Sequence, residues 1–176
     1  MKTADDSVFD RAVLQGLDRW PDVPDAFGWL RLDRVGRWQL RNPANGVFEA
    51  IGNTALRAFI GRNYAQDSGG RWFFQNGPQR VFAQLAYTPF VARLDGEILV
   101  DQCDRKFEVQ REYLDDEGSV LLEAPRGIAL LDYHDLAHYA ELSGNRLNRL
   151  PILACGEVAD RFGFDPDPAP VAKSLR

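Results

Sequence analysis

Residues 51–85, IGNTALRAFIGRNYAQDSGGRWFFQNGPQRVFAQL, leave the chain little choice, because they read as a capped helix running straight into a two-stranded hairpin. Asn53 sits where an N-cap is wanted, its side-chain oxygen able to accept from an orphan amide of the first turn, and Leu56, Phe59 and Ile60 follow on one face. Gly61 weakens the last turn and Asp67-Ser68-Gly69-Gly70 is dense in turn formers, so the helix is predicted to end near Tyr64. Residues 71–76 are an aromatic strand, and 80–85 alternate as a half-buried return strand. Asn76-Gly77 supplies the positive-φ pair of a tight turn between them, with Pro78 stiffening its exit.

The flanking chain offers elements of the same size. Ser7 can cap a first helix with Asp10 at its third position, and Phe9, Val13, Leu14 and Leu17 make its apolar stripe as far as Trp20-Pro21. Such a helix packs across a sheet or a partner chain. Residues 29–32 and 37–41 form a hairpin about the turn 33–36, 42–46 a loop, and 47–51 a third strand. Beyond the central hairpin, strands are predicted at 90–94, 97–100, 106–114, 119–123 and 128–131. They read as an antiparallel meander because each intervening turn is too short for a parallel crossover. Residues 133–142 return to helical spacing with Gly144 as a stop, 149–154 suit a strand and 156–161 a short helix. From 165 onward Pro166, Pro168 and Pro170 mark a disordered tail.

The block from Gly36, GRWQL…VFEAI-GNTALRAFI, lies over the block from Gly118, GSVLLEA…IALL-DYHDLAHYA, each reading turn, strand, loop, strand, capped helix. The expected fold is therefore α+β: two related small lobes of short antiparallel strands, each with one packed helix, plus an N-terminal helix. Residues 1–28 are the helix and connector, 29–89 the first lobe, 90–164 a barrel-like second lobe, and 165–176 the tail. Ligands favour clefts between such lobes.

With 45% hydrophobic and 27% charged residues the chain has the makings of an ordinary soluble domain. No apolar run approaches the roughly 20 residues that span a bilayer, and the N-terminus has no apolar signal-like segment, so a cytoplasmic location and no membrane partner are expected. Cys103 and Cys155 lack C-x-x-C spacing and read as reduced thiols. The net charge of −5 hides an asymmetry: residues 26–90 carry eight Arg against three acids, and residues 91–176 ten basic against seventeen acidic side chains. Opposite fields favour docking of the halves and let the first attract an anion, although only three Lys beside eighteen Arg also fits a bias of base composition.

No conventional chemistry assembles from these residues. His134 and His138 lie four apart as zinc ligands on a protease helix do, but the position for a general-base Glu holds Asp135 and no third ligand follows at obvious spacing, so no metal is expected. Neither Cys has a local nucleophile signature, Asp115, Asp116 and Glu117 read as a solvated turn, and both common phosphate-loop motifs are missing, so no cofactor and no catalytic residue are assigned. The surviving candidate is a ligand-binding group of Arg57, Arg62, Asn63, Trp72, Gln75, Gln79 and Arg80, with Asn76 beside them, all on or beside the helix-hairpin unit. Arg pairs with phosphate or carboxylate, Gln and Asn read amides or base edges, and Trp72 can stack on a ring. The structural alternative makes Arg62 and Arg80 braces for Asp67 or Glu49, Asn76 a turn residue and Trp72 core.

The run G-R-W…I-G-N-T-A-L-R-A-F-I…D-S-G-G-R-W-F-F…P-Q-R-V-F-A-Q-L…T-P-F-V-A-R-L, over about residues 36–94, resembles a family of uncharacterised bacterial proteins known only as a domain of unknown function. There a G-x-W strand, an I-G-R-x-x-L helix, a D-G-x-y-x-L strand, a V-E-x-x-x-I strand and a final P-F-V recur in this order. This chain has Asn53 where the family often has Arg, and Gln79-Arg80 where it has an acid. The resemblance implies a duplicated α+β core with a second lobe similar to pleckstrin-homology folds, a nucleotide-like ligand at the lobe interface and a signalling role. The leading expectation is a non-enzymatic binding or regulatory protein for a small anionic, nucleotide-like ligand. The alternative is an interaction module forming a homo-oligomer through its N-terminal helix or a sheet edge. A nucleic-acid partner is disfavoured by the acidic second half and a pI of about 5.1.

Overall fold

The computed structural model describes residues 9–170. Its central helix, α2 (Thr54–Arg62), starts as the sequence demands: Asn53 Oδ1 accepts from the amide of Leu56 at 2.9 Å. It stops earlier than Tyr64, at a C-cap on Asn63, because 64–66 leave as an extra short strand, β4 (Tyr64–Gln66), that pairs with β5 (Trp72–Asn76). β5 turns into β6 (Gln79–Leu85) with Asn76 opposite Gln79. The two loop residues are therefore Gly77 and Pro78, and Asn76 belongs to the strand. Gly77 takes the positive φ (56°) at the first loop position, leaving Pro78 its own fixed negative φ at the second.

β1 (Ala26–Leu32), β2 (Trp38–Arg41) and β3 (Phe48–Ala50) complete the first sheet, in the order β3-β2-β1-β6-β5-β4. The second sheet runs β12-β9-β10-β11-β7-β8, from β7 (Phe90–Asp95), β8 (Ile98–Asp101), β9 (Arg111–Asp115), β10 (Val120–Ala124), β11 (Gly127–Leu131) and β12 (Ile152–Leu153). Helices α1 (Arg11–Arg19), α3 (Leu136–Ser143) and α4 (Val158–Phe162) surround them. The fold is α+β with two lobes, but its sheets are mixed and not wholly antiparallel: β1 runs parallel to β6, β7 to β11 and β9 to β12. Turn length dictates the pairing of consecutive strands only; each parallel pair joins strands separated by other elements.

Two stretches follow one path. In the first, β1-β2-β3 form an antiparallel meander, α2 follows, and β6 returns alongside β1 in parallel; in the second, β9-β10-β11, α3 and β12 do the same. The pair Leu32 opposite Trp38 recurs 82 residues later as Leu114 opposite Val120. Between helix and returning strand the first lobe inserts the β4-β5 hairpin, whereas the second adds β7-β8 ahead of its meander.

Both lobes close on a single core. Phe90 of the second lobe stands edge-on to Tyr64 and Trp72 of the first, at 6.0 and 4.9 Å between ring centres, and meets Phe107 at 5.9 Å. Arg105 Nη2 donates to the carbonyl of Gly61 at 2.7 Å, and a Cβ at Gly61 would stand 3.1 Å from Cys103. α1 lies on its own sheet, with Val13 buried, Asn63 Oδ1 accepting the Asp10 amide at 2.7 Å and Gly16 against Pro78. The Ser7 cap lies outside the described residues. Residues 165–167 are not a loose tail: Asp165 donates to the carbonyl of Gly70, Leu85 to that of Pro166, and Gln84 Nε2 to Asp167 Oδ1 at 2.6 Å. The backbone pairing gives this proline-rich strap a partner that composition cannot announce; residues 171–176 lie outside the described span.

Four turns share one hydrogen-bond pattern. They begin at Asp33, Asp67, Asp101 and Asp115, and in each the Asp Oδ1 accepts the amides two and four residues on. In each, the amide of the fourth residue donates to the Asp carbonyl. That fourth residue needs a positive φ, and Gly36, Gly70 and Gly118 supply it at 77°, 80° and 85°. The turn at Asp101 places Asp104 there instead, at φ 56°.

Candidate functional site

The seven residues singled out from the sequence do not converge. Asn63 is fully buried and spends its amide on the carbonyl of Phe59 (2.9 Å) and on Asp10 Oδ2 (3.2 Å), tying α1 to the end of α2. Arg62 pairs with the same Asp10 carboxylate at 3.2 Å. Trp72 is core, packed on Tyr64 and Phe90 with its indole Nε1 buried and without an acceptor, so it offers no stacking face. Gln75 is buried and donates to the carbonyl of Gly77. Gln79 donates to the carbonyl of Pro24, and Arg80 lies over the Phe73 ring. A helix-hairpin unit presents several faces, and adjacency in sequence scattered these residues over them. Arg57 alone lies in the crevice between the lobes.

That crevice has a volume of about 350 Å³. From the first lobe it takes Val35, Gly36, Arg37 and Trp38 at the start of β2, and Thr54, Arg57 and Ala58 from the opening turns of α2. The second lobe adds Val91 and Arg93 of β7, Gln102, Cys103 and Asp104 of the turn after β8, and Asp132 beyond β11. Gly36 is what lets the lobes approach, since a Cβ there would stand 3.3 Å from both Val91 and Gln102. Gln102 is a strut: its Oε1 accepts the Val91 amide at 2.9 Å and its Nε2 donates to the Pro89 carbonyl at 3.1 Å.

Three guanidinium groups face this space with unequal freedom. Arg37 Nε donates to Asp33 Oδ2 at 2.7 Å, and Arg93 Nη2 to Asp104 Oδ1 at 2.7 Å. Arg57 has only the hydroxyl of Thr54, at 3.2 Å, and no carboxylate among the described residues. Asp132 is already engaged, its Oδ1 accepting the His134 amide and meeting His134 Nδ1 at 2.8 Å. Burial, with Asp101 adding to it, pushes the Cys103 thiol up to about 12, so it stays protonated at neutral pH and is no nucleophile. His134 is exposed, and among the described residues no three His, Cys, Asp or Glu side chains gather as metal ligands.

Beneath the crevice Asp101 is wholly buried and salt-bridged to Arg126, whose guanidinium lies over the Phe90 ring. Sequence reasoning missed Arg37, Arg93 and Asp104 as residues that line the crevice with Arg57. The repeated Asp-x-x-Gly turn, whose Asp101 copy breaks the glycine rule beside the crevice, is a sequence signal for Asp104 alone.

No helix among the described residues is long and apolar enough to cross a membrane. A comparison with curated proteins finds no match. Among solved structures, a DUF1285 family protein from Silicibacter pomeroyi DSS-3 is similar with a TM-score of 0.50 at 16% identity, over 67% of this chain and 70% of that one, a likeness of fold alone. A DUF1285 family protein from Shewanella baltica OS155 gives a TM-score of 0.46 at 12% identity, over 64% and 90%. A family model described as "Protein of unknown function (DUF2946)" matches residues 9–169, and the chain belongs to that family.

Proposed function

We propose that this protein is a non-catalytic binding and regulatory module that holds a small anion, one bearing a phosphoryl group, in the crevice between its lobes. The observation that carries this reading is Arg57: a guanidinium on the first turn of α2, lining a crevice of about 350 Å³, with a hydroxyl and, among the described residues, no carboxylate as partner. A planar fork of donors left in this state suits phosphate or carboxylate, and Arg37 and Arg93 beside it raise the local potential. The lining favours the phosphoryl end of a ligand over a base, since its one aromatic side chain, Trp38, is only 1% exposed. The nucleophile, base and metal set of an enzyme have no counterpart among the crevice residues described above.

The test is a thermal-shift panel of inorganic phosphate, AMP and succinate on the wild type and on Arg57→Ala. A ligand that binds only the folded state raises the melting temperature, by an amount set by its concentration over Kd. Phosphate and AMP should shift the wild type alike and leave Arg57→Ala unmoved; shifts that survive the substitution, or none at all, would sink the proposal. A shift by AMP alone would extend it to a nucleotide.

A second reading, self-association, is favoured by a different place. Trp29 and Leu40, 46% and 40% exposed, rim an apolar hollow between the first sheet and α2, next to the edge strand β3. Sedimentation across a hundredfold concentration range decides it, a constant monomer mass ruling it out.

A further inference from the structure

We infer that Asp104 is a built-in competitor for the crevice, occupying Arg93 until an arriving anion displaces it, and that it thereby holds down the anion affinity of the site. This inference rests on the anion-binding reading above. Three of the four Asp-led turns fill the left-handed seat with glycine, the residue that takes it without steric cost. The fourth keeps Asp104 there, and among the described residues it is the one non-glycine with a positive φ. The turn itself makes no use of that side chain. The Asp104 amide donates to the Asp101 carbonyl at 3.0 Å, just as the Gly36, Gly70 and Gly118 amides do in their turns, and Asp101 Oδ1 takes the amides of Cys103 and Arg105. An unfavourable conformation maintained where glycine would serve points outward, to what the side chain reaches.

What it reaches is Arg93, at 2.7 Å, on the wall of the crevice. The pair is well exposed, 78% for Asp104 and 46% for Arg93, so it adds little to folding and can open readily. Any anion arriving at Arg93 must displace this carboxylate. A phosphate dianion, with twice the charge of acetate, is also repelled twice as strongly by the Asp104 carboxylate that it displaces. The local carboxylate thus holds the affinity of the site down.

The experiment is a calorimetric titration of inorganic phosphate and of acetate, at constant ionic strength and about pH 8, where the dianion predominates. It is run on wild type, Asp104→Asn and Asp104→Gly. Both variants should bind phosphate about tenfold more tightly, as removal of one facing charge implies. Acetate, with half the charge, should gain less than phosphate, so that the preference for phosphate widens. Asp104→Gly should also melt about 2 °C higher, through relief of the left-handed seat, while Asp104→Asn stays near the wild type. If phosphate binds the wild type through Arg57 but neither variant binds it more tightly, Asp104 is no competitor and the anion site stands without it. If phosphate binds none of the three proteins, both the competitor and the site are overturned.

Discussion

The two lobes take the same path and put different chemistry at its end. In the second, Glu112 on β9 is engaged through its Oε1: Tyr139 of α3 donates a hydrogen bond to it and Arg146 another at 3.0 Å, so helix and sheet are clamped together locally. Burial, with that carboxylate beside it, raises the Tyr139 phenol far above its usual range, which keeps it a donor. In the first lobe, α2 carries Arg57 into the crevice with only Thr54 to hold it among the described residues. One copy of the motif has closed its charges on itself and the other has left one open. On the anion-binding proposal, the open guanidinium is where the ligand would enter.

The sharpest way to break the comparison is to separate the lobes. Because Phe90 packs on Tyr64, Trp72 and Phe107, Phe90→Ala should cost about 3–5 kcal/mol. Denaturant unfolding should remain one transition followed identically by fluorescence and circular dichroism. Two transitions would mean two independent cores. Next come the turns. A Cβ at Gly70 would stand 2.7 Å from the Gly163 carbonyl as well as in a left-handed seat, so Gly70→Ala should cost about 2–3 kcal/mol. Gly118→Ala has the same backbone strain with open space around it and should cost only about 1 kcal/mol; equal losses in paired melting curves would show that the strap over the first lobe adds nothing.

A smaller effect follows from acid. Burial works to raise the Asp67 carboxyl, but hydrogen bonds from the Arg71 side chain and from the Arg71 and Gly69 amides outweigh it and hold it below the ordinary range. A folded value depressed below the unfolded one means stability fully present above about pH 4 and lost as pH falls further. Melting temperatures of wild type should therefore drop more steeply below about pH 4 than those of Asp67→Asn. Least of all, Cys103 should react slowly with a thiol reagent at neutral pH until the chain unfolds, as its thiol is pushed up to about 12. Rapid labelling in the native state would mean that the crevice wall opens.

Local physics made much of this fold legible. Asn53, the Gly144 stop and the offset between Gly36 and Gly118 report backbone preferences that act within a few residues, and the hairpin turn was legible at Gly77 but set one residue early, on Asn76-Gly77. β4, the parallel neighbours and the docked strap were not legible, since a three-residue strand has almost no periodicity and the other two are pairings across the chain. The site divided in the same way. Arg57 was visible as a charged helix residue, but Trp72 and Gln75 look the same in sequence whether they face a ligand or a core, and here they face the core. Arg93 and Asp104 lie in the other lobe, so only the closure of the two halves brings them to Arg57.

Anion binding between the lobes is tested most directly by titrating inorganic phosphate into protein labelled with nitrogen-15 at arginine and following each side-chain Nε–Hε signal. The signals of Arg57, Arg37 and Arg93 should move together and saturably, while Arg31 and Arg41, which lie over the Phe48 ring away from the crevice, stay fixed. Signals that drift uniformly across all the arginines, or an Arg57 signal that never moves, would contradict it.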